Sequence, residues 1–339
     1  MPSPFPNVPH SIRGTLTSIE FTSHALQGNI WDDPHIRDLW IHLPHHFDPQ
    51  QSYPLLIILT GFAGTGEGLF SRSLTDSSLC NAIDRLIDDN QCPPFITLFP
   101  DCMSYLGGSQ FLDSPAIGNY EQYLIQEIIP AIQAQYTISN IAIMGHSSGG
   151  YGALRLAMTN PNLFSAIACH AGDLGFSSAY SADLAPAVLA IHQAGSPKKF
   201  LEEFWKKHRF SAADFSAFNI LCMAAAYDPN PEHHDFPANL PFDYTNGTID
   251  FQQFDGWKRH DPLYMIDSSE HQKNLLDLSL LYIECGRSDE YLLQFGARKL
   301  VQKLQKYSIP HRYEEFDGGH RGGRRRLPVS IPQLINACS

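Results

Sequence analysis

The sequence predicts an α/β fold: a mainly parallel central sheet with helices on both faces. Three observations lead there. Apolar runs without polar alternation, such as Leu55-Leu56-Ile57-Ile58-Leu59 and Ile141-Ala142-Ile143-Met144, read as strands buried on both sides. Segments with helical spacing lie between such runs, and this alternation of strand and helix calls for crossover connections between parallel neighbours. A chain of 339 residues with 43% hydrophobic composition can also bury a large core.

Taken in order, Gly14 to Phe21 and Arg37 to Leu43 lead in as strands. The second alternates polar and apolar side chains, as a half-exposed antiparallel strand does. Strand Leu55 to Leu59 follows, then a helix over about 77–89 and strand Phe95 to Phe99. The helix from Tyr120 to Ile129 sets Tyr120, Leu124 and Ile128 on one face, and Pro130 either kinks it or begins a further turn. Next come the strand at Ile141, a helix from Tyr151 to Met158, and strand Ala166 to His170. The rhythm then breaks from about 173 to 265, a stretch rich in Pro, Asn, Asp and aromatic residues with one amphipathic helix from Lys198 to His208. An excursion that long reads as a cap or lid inserted into a single domain spanning 1–339. Strand Leu278 to Gly286, a helix from Glu290 to Tyr307 and strand His311 to Phe316 complete the pattern; Leu293, Ala297, Leu300 and Leu304 form the buried stripe of that helix.

The chemistry concentrates at Gly145-His146-Ser147-Ser148-Gly149. A Gly-x-Ser-x-Gly turn between a buried strand and a helix is a nucleophile elbow, whose glycines leave room for a strained serine backbone. A nucleophilic serine needs a base, and the base needs an orienting acid, in the chain order Ser, Asp or Glu, His. Asp289 ends a strand, where open parallel sheets carry their working residues. Glu290 is an alternative acid, although a carboxylate there also suits the start of a helix; Asp173, after strand Ala166 to His170, is a weaker one. Of sixteen histidines, His320 alone follows a late strand in this order, behind Gly318-Gly319. The pairs His45-His46 and His233-His234 read as loop residues. Two backbone N–H groups should receive the negative charge that develops on an acyl oxygen. These are expected at Ser148 and, in the loop Thr60-Gly61-Phe62-Ala63-Gly64-Thr65-Gly66, at Phe62, with Ala63 as the alternative. No Gly-Lys-Ser/Thr follows that loop, which excludes a phosphate-binding reading. Without His-Glu-x-x-His or Cys-x-x-Cys spacing, no metal site is expected, and no cofactor is needed.

Together these pieces resemble the esterase D-like family of α/β-hydrolases, which includes S-formylglutathione hydrolases, feruloyl esterases, enterochelin-type esterases and mycolyltransferases. The resemblance rests on Leu55 to Gly61, Phe99-Pro100-Asp101, Tyr120 to Pro130, Met144 to Leu154, Cys285 to Asp289 and Phe316 to His320, and so spans nearly the whole chain. It implies an α/β-hydrolase fold with Ser147 as nucleophile, Asp289 as acid, His320 as base and backbone donors at Phe62 and Ser148. Many relatives carry His-Gly where this chain has Thr60-Gly61, and the surroundings specific to formylglutathione hydrolases have no clear match.

The expected activity is that of a serine carboxylesterase acting on a small-molecule ester or thioester through an acyl-enzyme. The alternatives are an acyltransferase using the same residues and a non-catalytic binding protein on the same fold. Tyr105, Phe111 and Tyr151 are expected to line the substrate pocket together with aromatic residues of the excursion. A net charge of −12 argues against nucleic acid. The Arg321-Gly322-Gly323-Arg324-Arg325-Arg326 cluster is either a solvated loop or a basic rim for acidic substrates. No apolar stretch is long enough to span a membrane. Met1-Pro2-Ser3-Pro4-Phe5-Pro6 carries neither a basic segment nor an apolar run, and the seven cysteines lack paired spacing, so a cytoplasmic location is expected.

Overall fold

Eight strands form the central sheet of the computed structural model, which describes residues 13–71 and 78–338. They are β1 (Thr15–Thr22), β2 (Ile36–Leu43), β3 (Tyr53–Leu59), β4 (Ile96–Phe99), β5 (Ile138–His146), β6 (Ala166–His170), β7 (Leu280–Gly286) and β8 (Arg312–Phe316). Their spatial order is β1-β2-β4-β3-β5-β6-β7-β8. β2 runs antiparallel to β1 and β4, while β3 to β8 are mutually parallel. Every residue of β3, β4 and β6 is buried, as their largely apolar sequences favour, whereas the edge strand β1 alternates. This is the α/β-hydrolase fold.

Strand order reverses at β3, which sends its chain outward to β4 and then back across to β5, and such a switch opens a crevice at the carboxyl ends of the strands. The register aligns those ends. Leu59 pairs with Gly145, His146 with His170, His170 with Glu284, and Phe316 with Gly286. The loops that begin there carry Phe62, Ser147, Asp173, Asp289 and His320.

Two apolar layers sandwich the sheet. One face packs on α1 (Leu79–Asp88) and on a C-terminal helix; the other carries the larger core around α2 (Ser148–Thr159). The expected helix over 77–89 is thus α1; its first expected residue, Ser77, lies outside the described residues, as does the reading of Met1 to Pro6. The helix expected from Tyr120 runs on to Gln135, with a π-helical stretch at Tyr123–Ile128. Pro130 has no N–H to give the preceding turn, and the wider π turn absorbs that missing bond.

The stretch 173–265 holds more helix than expected. Besides α4 (Pro197–Phe204), where the amphipathic segment was read, it contains α3 (Ser181–Ala194) and α5 (Ala212–Tyr227). α5 is apolar almost all round and buried from Ile220 to Tyr227, so it has no polar face to betray its period. Its start was nevertheless written in the sequence. Ser211 and Asp214 form a capping box, each side chain bonding the other's backbone N–H. After β7, α6 spans Leu293–Lys306 and begins later than expected because Leu292 adopts the left-handed conformation, φ 62°. The C-terminal helix α7 (Leu327–Ala337) buries Leu327, Ile331, Leu334 and Ile335 despite an internal Pro332. Among the described residues no helix is long and apolar enough to cross a membrane, and no group of three His, Cys, Asp or Glu could hold a metal ion.

Candidate active site

Ser147 occupies the sharp turn between β5 and α2 with φ 60° and ψ −127°, a conformation that non-glycine residues rarely adopt. The turn is tight because helix and strand nearly touch. A Cβ on Gly145 would lie 2.3 Å from the Gly149 carbonyl carbon, and one on Gly149 would lie 2.4 Å from Leu59 O. The turn is held from outside by the Ser147 N–H, which donates to His170 O at 2.9 Å on the neighbouring strand. Strain at a single residue, fixed by surrounding contacts, is how folds expose a reactive side chain.

Asp289 and His320 meet across the ends of β7 and β8. His320 Nδ1 lies 2.8 Å from Asp289 Oδ2. The carboxylate side chain is fully buried, and its other oxygen accepts the Tyr291 N–H at 2.9 Å. A carboxylate accepts, so the imidazole carries its proton on Nδ1 and keeps a lone pair on Nε2. The competing acids are engaged elsewhere. Glu290 Oε2 accepts the backbone N–H of His320 at 2.6 Å. Asp173 Oδ2 accepts from Ser148 Oγ at 2.8 Å and from the Tyr180 hydroxyl at 3.0 Å. Burial raises the Asp173 carboxyl above the usual range, against the opposing pull of those two hydroxyls and of nearby His320.

Ser147, Asp173 and His320 line one cavity of about 580 Å³, together with Gly61, Phe62, His146 and Ser148. Residues of the 173–265 stretch close its far side, among them Tyr180, Asp183, Phe215 and Asn219. Ser148 opens α2, so its N–H points out of the positive end of a helix dipole. Of the two loop donors, Ala63 gives its N–H to Gly107 O at 2.7 Å. Among the described residues nothing accepts from the Phe62 N–H, and Phe62 lines the cavity.

The three aromatic residues expected to contact substrate do not line this cavity. Tyr151 is fully buried between Phe176 and Tyr227, one helical turn behind the elbow. Phe111 is buried against Gly152 of α2. Tyr105 stacks on Trp31 with ring centroids 5.1 Å apart. Large aromatic surface is worth more in the core than at a mouth. Phe62, Tyr180, Phe215 and Tyr291 supply the aromatic wall instead. The arginine cluster is divided. Arg321 lines the cavity, whereas Arg326 forms an ion pair at 2.6 Å with buried Glu284; the Arg324 side chain lies outside the described residues. His45, His46, His233 and His234 are not part of the cavity wall. Two neighbours of His320 escaped the sequence reading, His146 and Glu290 in its structural role. His146 occupies the unconstrained position of Gly-x-Ser, and Glu290 directly follows the acid.

The model of the family described as Putative esterase matches residues 35–324. The chain belongs to this esterase family. It is an enzyme acting on ester bonds, and the fold comparison agrees. The esterase superposes on a ferulic acid esterase with TM-score 0.62 at 16% identity, covering 96% of this chain and 99% of the other. It superposes on an S-formylglutathione hydrolase from Agrobacterium tumefaciens with TM-score 0.58 at 13% identity, covering 97% and 98%. A fluorophosphonate-binding serine hydrolase F from Staphylococcus aureus gives 0.56 at 14%, covering 96% and 99%. A search of curated protein sequences finds no match. At these identities the likeness is one of fold.

Proposed function

We propose that this esterase is a serine carboxylesterase that works through a Ser147–His320–Asp289 triad and an acyl-enzyme. The observation that carries the reading is the 2.8 Å bond between His320 Nδ1 and the buried Asp289 carboxylate, on the cavity that also exposes the strained Ser147. His320 Nε2 takes the Ser147 Oγ proton as Oγ bonds to the ester carbonyl carbon. The oxygen that becomes negative is received by the N–H groups of Phe62 and Ser148. Collapse of this intermediate breaks the bond to the alcohol, which leaves with the proton from His320. Water then attacks the acyl-enzyme in the same way, and the acid departs.

The cavity volume suits a small-molecule ester, and the Phe62, Phe215, Tyr180 and Tyr291 wall suits an apolar or aromatic acyl group. We take the 173–265 stretch as a cap within one domain, since its residues form the far wall of the cavity. All seven cysteines are buried and unpaired, as suits a reducing compartment such as the cytoplasm. Burst kinetics with a p-nitrophenyl ester test the scheme. The parent enzyme should release about one equivalent of nitrophenol before steady turnover, and Ser147→Ala should release none. A full burst from that variant would remove Ser147 from the mechanism.

A further inference from the structure

His320 opens a short helical turn behind β8. It follows Gly318-Gly319, and glycine loses more conformational freedom on ordering than any other residue. Asp289 orients the imidazole only. The backbone of His320 is gripped by two other side chains, each from a different strand end. Its N–H donates to Glu290 Oε2 at 2.6 Å, and its C=O accepts from His146 Nε2 at 3.1 Å. A carbonyl only accepts, so that contact places the His146 proton on Nε2. The His146 ring lies 4.5 Å from the His320 ring, and the Tyr291 ring meets it edge-on at 4.8 Å. The sequence is cut to fit this grip. A Cβ on Gly319 would fall 2.6 Å from Glu290 Oε1, so only glycine lets the carboxylate reach the peptide.

We propose that Glu290 and His146 are positioning residues that clamp the His320 backbone, one on each side of its Cα, between the ends of β7 and β5, holding the base in line with Ser147. The inference rests on the reading of His320 as the base. Glu290 does not serve as a helix-opening carboxylate, because α6 starts only at Leu293 and the carboxylate is spent on the peptide. His146 adjoins the nucleophile in sequence, so its bond ties the serine turn directly to the loop of the base. A reacting group displaced by about 1 Å loses on the order of 10² in rate, which is the scale on which such a clamp acts.

The test compares Glu290→Ala, Glu290→Gln and His146→Ala in the full chain. Steady-state kinetics on p-nitrophenyl acetate are measured alongside hydrogen–deuterium exchange of the peptide covering 318–321. Glu290→Ala and His146→Ala should each lower kcat by about tenfold or more with KM nearly unchanged, and should speed exchange of that peptide. Glu290→Gln keeps an acceptor oxygen and should restore both readouts most of the way. The double Ala variant should lose less than the product of the single losses, because both residues hold the backbone of one residue. Equal loss in Gln and Ala at position 290 overturns the proposal, as does unchanged kcat or unchanged exchange in either Ala variant. An inactive parent enzyme would count against the base assignment alone, since exchange still judges the clamp.

Discussion

At the scale of single residues, the account turns on which carboxylate serves His320. Three acids crowd this rim, and the hydrogen bonds separate their tasks. Asp289 holds the ring, Glu290 holds the backbone, and Asp173 holds the Ser148 hydroxyl. Asp289→Asn should therefore lower kcat by about 10⁴, because the amide favours the wrong imidazole tautomer. Asp173→Asn should leave far more activity, since an amide oxygen still accepts from Ser148 and Tyr180. Steady-state kinetics on one p-nitrophenyl ester decide the matter, and the opposite ranking would reassign the acid. Phe215 offers a second residue-level prediction. It is 40% exposed, lines the cavity and meets Phe62 edge-on at 5.7 Å. Phe215→Ala should raise KM for long-chain or aromatic esters by about tenfold while leaving acetate esters nearly unaffected.

At the scale of elements, what could be read depended on how local the signal was. β3, β6 and the elbow were legible because unbroken apolar runs and a Gly-x-Ser-x-Gly turn carry their own physics. α5 was not, since a helix buried all round has no amphipathic period. α7 was hidden by Pro328 and Pro332, although Pro328 sits in the first turn, where no N–H is needed. The Ser147, Asp289 and His320 positions followed from strand ends and chain order. The contacts of Tyr105, Phe111 and Tyr151 did not, because an aromatic side chain reads the same whether it faces a cavity or a core. The elbow gives the sharpest element-level prediction. Gly149→Ala forces a methyl group into the backbone at Leu59, and should destabilise the protein by about 2 kcal/mol or more, measured by urea unfolding. Ser211→Ala removes the cap of α5 and should cost about 1 kcal/mol.

At the scale of the whole molecule, a buried polar cluster beneath the site joins the sheet to the C-terminal segment. Glu284 on β7 meets His170 on β6 and Arg326 before α7, while His170 Nε2 lies 2.8 Å from Ser330 Oγ on α7. Burial pushes the Glu284 carboxyl up, but hydrogen bonds from His170 and Arg326 outweigh it and bring it down to about 2 from an ordinary 4.5. A carboxyl depressed on folding stabilises the protein fully above its unfolded value, and that contribution fades as pH falls from about 4.5 towards 2. It is on the order of 3 kcal/mol. Thermal unfolding followed from pH 7 to pH 3 should show this acid limb in the parent protein. Glu284→Gln should be less stable at pH 7 and lose stability less steeply below pH 4.5; an unchanged acid limb would contradict the assignment.

The central claim is that Ser147 is an activated nucleophile in a cavity open to small esters. The most direct measurement is incubation of the purified protein with a fluorophosphonate probe, followed by peptide mass spectrometry of the adduct. The account predicts stoichiometric labelling at Ser147, lost in Ser147→Ala and strongly slowed in His320→Ala. Labelling at another residue, or none on a folded protein that turns over esters, would contradict it.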